Sequence, residues 1–330
     1  MSLFSAGFFR GIFHPEAFHG DGKTSDFFEG WYVKLVSADQ KQRWAVIPGV
    51  FLGQDGGKRS EAFIQVLDGS TGRSWYHRFE LNDFEAANDR FEVRIGNNHF
   101  SAAGATLDLP QLKGTVTFDT AFDPWPVKPL SPGIMGWFGA VPFMECFHGI
   151  VSFGHDLGGS LQVEGKTASF AGGRGYIETD WGKAFPSGYV WLHSNHIDTN
   201  RDASLIGSVA IIPWIGKPFR GFIVGLKHSG KLHRWTTYNG AKELELVITD
   251  SHVSWRLESP DGVLELSADR VRGGLLHAPI RTEMHQRVDE TLDAVIRIKH
   301  TDKNGNVLLE GNGMVGAMEV YGDLQRLLAI

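Results

Sequence analysis

The segment Gly175-Tyr176-Ile177-Glu178-Thr179-Asp180-Trp181-Gly182-Lys183-Ala184-Phe185-Pro186 carries the densest set of groups able to move a proton. Read as a β-strand, it projects Tyr176, Glu178 and Asp180 from one face, because successive side chains alternate. Two carboxylates on one face repel, which favours keeping a proton on one of them. Such a pair supplies a general acid. The competing reading is structural: both carboxylates face solvent, or one pairs with Lys183 or Arg174. Trp181 falls on the face opposite Glu178.

Other segments offer further candidates. Phe143, Glu145 and Phe147 share one face of an extended segment. A carboxyl between two phenyl rings is desolvated and its pKa rises, making Glu145 a second candidate acid. Its competing reading is a carboxylate bonded to backbone or to an arginine. His148 points the other way and is a weaker candidate, noted because histidine is the usual proton carrier. In the run from Tyr189 to Asp198, Tyr189, Trp191, His193 and Asn195 share one face, and Val190, Leu192, Ser194 and His196 the other. An aromatic and polar face suits a ligand-lined barrel interior. Alternatively, His193 and Asn195 satisfy buried backbone groups. Glu29 and Trp31 share a face near the start of the chain. Trp31 reads first as a packing residue and Glu29 as a weaker site candidate than Glu178.

These residues need strands to position them. Glycine, with 41 residues, repeatedly punctuates short alternating segments, as at Gly53–Gly57, Gly69–Gly72, Gly158–Gly159 and Gly172–Gly175. Alternation is clear in Ala62–Asp68, Phe91–Ile95, Glu243–Ile248, Val263–Leu266 and Ala294–His300. Asp68-Gly69, Asp261-Gly262 and Asn304-Gly305 supply hairpin turns. Helical periodicity is scarce, and Ile280 to Asp293 is the main ambiguous stretch. Many strands with few helices leave sandwiches or closed barrels as packed solutions, and closure removes exposed edges. The stretch Pro124 to Pro132 reads as a connector or a lid loop. A chain of 330 residues suits two domains, expected at residues 1–165 and 166–330.

Composition bounds the partners. The net charge is −6, and the basic residues are scattered, so nucleic acid is not expected. With one cysteine, Cys146, no intrachain disulfide forms, which fits a reducing compartment. His193-x-x-His196 places its rings on opposite strand faces, and Cys146 lies in no cysteine-rich pattern, so no metal is expected. The ten tryptophans are read as core more than cage. Met1 to Pro15 is apolar but lacks a basic start and a cleavage site, and Leu205 to Ile215 falls short of the roughly 20 residues that span a bilayer. A cytoplasmic protein is expected, with peripheral membrane contact left open and oligomeric state unassigned.

Three blocks together resemble a known family. They are Phe28-Glu29-Gly30-Trp31-Tyr32-Val33-Lys34 with Ile47-Pro48-Gly49; Pro132-Gly133-Ile134-Met135-Gly136-Trp137 with Pro142-Phe143-Met144-Glu145-Cys146-Phe147-His148-Gly149; and Gly175 to Pro186 leading into Trp191 and Ser194-Asn195-His196. In this order they resemble the tocopherol cyclase family and its bacterial relatives, with a distant likeness to hydroxyneurosporene synthase and Diels–Alderase proteins. The resemblance implies an all-β fold of two tandem lipocalin-like antiparallel barrels. It also implies an intramolecular cyclase that protonates a prenyl double bond and traps the cation with a phenol oxygen, without a cofactor. Such a site needs a positioned acid, a group that orients the phenol, and walls that exclude water. On that reading Glu178 or Asp180 is the proton source, with Glu145 as the alternative. His193 and Asn195 orient a lipophilic substrate, and Tyr176, Trp181, Trp191, Trp31, Glu29 and His148 complete the site. The central expectation is that the carboxylates of Tyr176–Trp181 point into a barrel hollow. The rivals are an isoprenoid hydratase or isomerase on the same scaffold, and a non-catalytic carrier of a lipophilic ligand.

Overall fold

The computed structural model describes residues 11–54, 59–129 and 131–330. Part of the N-terminal run, part of the turn at Gly53–Gly57 and one residue of the loop 124–132 lie outside them. The chain divides into two compact units. The first runs to Phe185 and takes in Leu276–Arg287; the second holds Pro186–Leu275 and Val288–Ile330.

The first unit contains β1 (Phe27–Val36), β2 (Arg43–Leu52), β3 (Glu61–Asp68), β4 (Arg73–Phe79), β5 (Phe84–Ala86), β6 (Glu92–Ile95), β7 (Asn98–Ser101), β8 (Gly104–Asp108), β9 (Leu112–Phe118), β10 (Cys146–Val163), β11 (Lys166–Ser169) and β12 (Gly173–Gly182). Their order in the sheet is β4-β3-β2-β1-β12-β10-β9-β8-β7-β6-β5, with β11 paired to β10. One run of hairpins spans β1 to β4 and another β5 to β9, and β10 pairs with β9 after a long connection. The last strand, β12, inserts between β1 and β10 and joins them. Alternating apolar residues drive this sheet: Trp31, Val33, Leu35, Val46, Ile64, Val66, Val151 and Ile177 all bury into one apolar cluster. Removing so large a core side chain as Trp31 would cost roughly 3–5 kcal/mol.

The second sheet contains β13 (Gly188–Ser194), β14 (His196–Ile197), β15 (Ser204–Ile212), β16 (Phe219–His228), β17 (Lys231–Thr236), β18 (Lys242–Ile248), β19 (His252–Ser259), β20 (Gly262–Asp269), β21 (Gly274–Pro279), β22 (Met284–Thr301) and β23 (Val307–Gly322), and all of it but Leu276–Pro279 and Met284–Arg287 lies in the second unit. The main order is β17-β16-β15-β13-β23-β22-β20-β19-β18, with β14 on β23 and β21 on β22. Val190, Leu192, Val209, Val224, Trp255, Leu264 and Ile296 form its core. A short helix, Leu324–Ala329, follows, its first turn capped by the Asp323 side chain accepting from the Arg326 amide at 3.0 Å. The fold is all-β, with lipocalin-like antiparallel barrels. Among the described residues no helix is long and apolar enough to cross a membrane.

Three expectations change. The units meet in sequence at Phe185/Pro186, not at residue 165, because β12 pairs with strands of the first sheet as far as Gly182. The ambiguous stretch Ile280 to Asp293 is extended from Met284 onward. Its first part, with Leu276–Pro279, joins the first unit, where Gln65 and His277 exchange two hydrogen bonds at 2.7 and 2.8 Å. Finally, Phe143 and Glu145 do not continue the strand of Phe147, since Pro142 and Phe143 form a turn and β10 begins at Cys146.

Candidate active site

Register across three strands assembles the site in the first unit. Asp180 lies opposite Gly30 on one side and His148 on the other. Glu178 lies opposite Tyr32 and Ile150, and Tyr176 opposite Lys34. Cross-strand partners share a face, so Tyr176, Glu178, Asp180, His148, Tyr32 and Lys34 project together. The strand ends sharply at Gly182, whose φ of 150° and close approach to the Glu145 carbonyl leave no room for a Cβ.

This shared face is not the barrel interior. Ile177 and Trp31 enter the apolar core, so alternation sends Tyr176, Glu178 and Asp180 out of the opposite face. The expectation that these carboxylates line the hollow of a barrel is thereby corrected. The face is nonetheless dry: Tyr176 is 0% and Glu178 3% exposed. An aromatic and apolar cluster adjoins it, with Phe28, Phe51, Phe63 and Met284 buried and Cys146 and Phe185 packed against them.

The polar groups form a chain. The Tyr176 hydroxyl donates to Glu178 Oε2. His148 Nδ1 meets Asp180 Oδ1 at 2.8 Å, and its Nε2 lies 3.6 Å from Glu178 Oε2. The second distance is beyond a hydrogen bond, so a small approach would complete the relay. Burial opposes a charge on His148, but Asp180 and then Glu178 outweigh it and push its pKa up to about 9. His148 is therefore an imidazolium between two carboxylates at neutral pH. Burial, followed by the Glu178 charge, holds the Tyr176 phenol well above its ordinary pKa, so it stays a donor. Burial and then Asp180 and Glu145 push the Cys146 thiol up in the same way. At the far end the Asp180 side chain is 27% exposed, which gives water access to one side of the network. His148, Glu178 and Asp180 also place one nitrogen and two carboxylate oxygens within 4.8 Å of one another, a donor set that could hold a divalent cation.

The remaining candidates take other places in the two units. Glu145 pairs with Arg281 at 2.7 Å and is 31% exposed, while Phe143 is 45% exposed, so the carboxyl does not sit between two phenyl rings. Glu29 is buried, but it is taken up by His19, accepting from its backbone amide at 2.8 Å and meeting its Nδ1 at 2.7 Å. His19 in turn stacks on Trp181, with ring centroids 3.7 Å apart and planes 5° apart. Trp31 fills the core. Trp191 and His193 lie on β13 in the second unit, on the face opposite the core residues Val190 and Leu192. Asn195 follows the end of that strand, so the regular alternation expected through Asp198 stops at Ser194. These three thus belong to a different unit from Glu178. A groove of about 600 Å³ in the second unit is lined by Glu245, Arg256, Glu265, Arg297 and Lys299, groups unsuited to an isoprenoid.

Sequence reasoning undervalues His148 and misses His19. The β10–β12 register that makes His148 central joins residues 32 apart in sequence, and alternation within one strand carries no signal of it.

The pattern of the family described as tocopherol cyclase-like matches residues 123–322. A protein of Oryza sativa subsp. japonica named probable tocopherol cyclase, chloroplastic, is 21% identical over 92% of this chain and 77% of its own length. Among solved structures, CghA with Sch210972 superposes with a TM-score of 0.56 at 11% identity, covering 90% of this chain and 89% of that one. A Nitrosomonas europaea protein named for AttH does so with a TM-score of 0.52 at 12% identity, covering 89% and 92%. At these identities the two structures speak for the fold alone, and the expected barrel architecture agrees with them. More than half of this sequence lies within the matched segment, and the chain belongs to the tocopherol cyclase-like family.

Proposed function

We propose that the chain closes a chromanol-type ring on a lipophilic prenylated quinol, using the Tyr176–Glu178–His148–Asp180 network as its acid and base. The observation that carries this reading is a buried carboxylate, Glu178, held between a phenol donor and an imidazolium beside an apolar aromatic cluster. Protonating an alkene requires an acid stronger than an imidazolium of pKa about 9, so His148 is a reservoir and the Glu178 carboxyl the donor. An apolar substrate over this face excludes water and favours the neutral carboxyl, which draws the proton from His148. Glu178 delivers that proton to the less substituted alkene carbon. The tertiary cation is trapped by the quinol oxygen, a C–O bond forms, and the oxygen's proton returns to the carboxylate network. Aromatic faces such as Phe28 and Phe185 suit a developing cation. Atoms balance, so the reaction is an isomerisation. Incubation with prenylated quinols of differing tails should give a product of unchanged mass that has lost one phenolic hydroxyl. Tight binding with no product would leave a carrier and end this reading.

One observation favours a second reading. The exposed side of Asp180 admits water next to the acid. If water traps the cation, the product gains the mass of one water and keeps both phenols, which identifies a hydratase in the same assay.

A further inference from the structure

Away from β12, the second unit gathers three histidines that the proposed cyclisation does not use. His228 ends β16 and His233 lies on β17, joined by a two-residue turn at Ser229 and Gly230. Both turn residues have positive φ, 51° and 72°, the conformation that fits a tight hairpin. His233 pairs with Leu226, which makes it the diagonal neighbour of His228 on one face. His300 comes from β22, and the β19–β20 turn adds Asp261. The three histidines are 4%, 6% and 0% exposed.

We propose that His228, His233 and His300 form a binding site for a divalent transition-metal ion of the zinc type, one that fastens the β16–β17 hairpin to β22 and to the β19–β20 turn. One ligand nitrogen from each lies within 4.8 Å of the others. His228 Nε2 and His300 Nδ1 are 3.0 Å apart, near the roughly 3.3 Å edge that zinc–nitrogen bonds of ~2.0–2.1 Å give a tetrahedron. His300 Nε2 lies 2.8 Å from the Asp261 carbonyl and donates to it, so its Nδ1 is the nitrogen left to accept. That outer hydrogen bond is the kind that fixes the tautomer of a metal-bound histidine. The proton now shared by His228 and His300 is the one a metal displaces. His233 Nδ1 is buried and, among the described residues, has no hydrogen-bond partner; it lies 3.7 Å from Asp261 Oδ1. Asp261, itself ion-paired with Lys231 at 2.9 Å, stands beside the three histidines as an outer carboxylate. Burial, then the neighbouring histidines, keeps His233 near a pKa of about 4, so no proton competes at neutral pH. The His228 and His233 rings are stacked at 12°, and coordination requires His233 to turn out of that stack.

An end plug of packed imidazoles is the competing account, and metal binding separates the two. Untagged, chelator-stripped full-length protein is titrated with Zn2+ by calorimetry, and with Co2+ as a spectroscopic probe. The proposal expects one ion per chain, a tetrahedral Co2+ spectrum and a higher Tm with Zn2+. His233→Gln and His300→Ala should each weaken binding at least ~10-fold, while the surface variant His252→Ala leaves it unchanged. His233→Gln, which keeps volume, decides the matter if His300→Ala does not fold. Absence of Zn2+ binding, or binding that survives both His233→Gln and His300→Ala, overturns the proposal.

Discussion

Glu178 and Glu145 both stand out in the sequence as carboxyls among aromatic residues, and the fold treats them differently. Glu178 sits in the middle of β12, flanked by strands on both sides, with 3% exposure. Its partners are a phenol, which donates, and a histidine that shares its charge with Asp180. Glu145 sits just before β10, partly in solvent, tied to the fixed cation of Arg281. An arginine partner holds a carboxylate ionised and cannot return a proton, since guanidinium does not titrate in the working range. A histidine can. The identity of the partner, more than aromatic neighbours, separates a carboxyl fit to act as an acid from one that braces a loop.

Substitutions can break or sharpen this contrast. The largest effect is expected at Glu178: Glu178→Gln should lower turnover ~10²–10⁴-fold in a prenylated-quinol assay, with the circular dichroism of the folded protein kept. His148→Gln should follow, with a loss of about 100-fold, since it removes the reservoir and not the donor.

The third effect is on stability against pH. His148 has a folded pKa of about 9 against an ordinary value of 6.5, so the folded state binds the extra proton. Its contribution is fully present below about 6.5 and is lost as pH rises through about 9. Relative to His148→Gln, the unfolding free energy of wild type should fall across that window by on the order of 3 kcal/mol. In Asp180→Asn that fall should be smaller and end at lower pH, because the folded pKa drops while the unfolded pKa that sets the onset is unchanged. A flat difference between wild type and His148→Gln across those limits would remove His148 from its charged state. A smaller effect concerns Cys146. With its thiol pKa raised by burial and two carboxylates, a disulfide reagent should label it slowly until denaturant is added. Smallest of all, Glu145→Gln should cost no more than ~1 kcal/mol and leave turnover within a few-fold, because a partly exposed ion pair is weak. A loss at Glu145 matching that at Glu178 would erase the contrast.

Much of this arrangement is legible in the amino-acid sequence. Alternation marks β3, β6, β18 and β20 correctly, because successive side chains of a strand point to opposite faces. The single face shared by Tyr176, Glu178 and Asp180 follows from the same rule. What alternation cannot give is which face meets the core. That depends on Ile177 joining Trp31, Val33 and Leu35, a choice made by distant strands. Nor can it give register between β10 and β12, and so His148 reads as a minor candidate. The Glu145 expectation fails for a local reason, since Pro142 turns the chain just before the strand. The three-histidine cluster is not legible in the sequence because His300, on β22, lies 72 residues beyond His228 and only the fold brings it to the β16–β17 hairpin.

The account turns on Glu178 handing a proton to carbon. Wild type and Glu178→Gln, each mixed with a prenylated quinol in D2O under single-turnover conditions, test it directly. Wild type should release ring-closed product carrying one carbon-bound deuterium, and the variant should bind the quinol with a Kd within a few-fold of wild type yet release none on that timescale. Ring-closed product without deuterium from wild type, or labelled product formed at full rate by the variant, would contradict it.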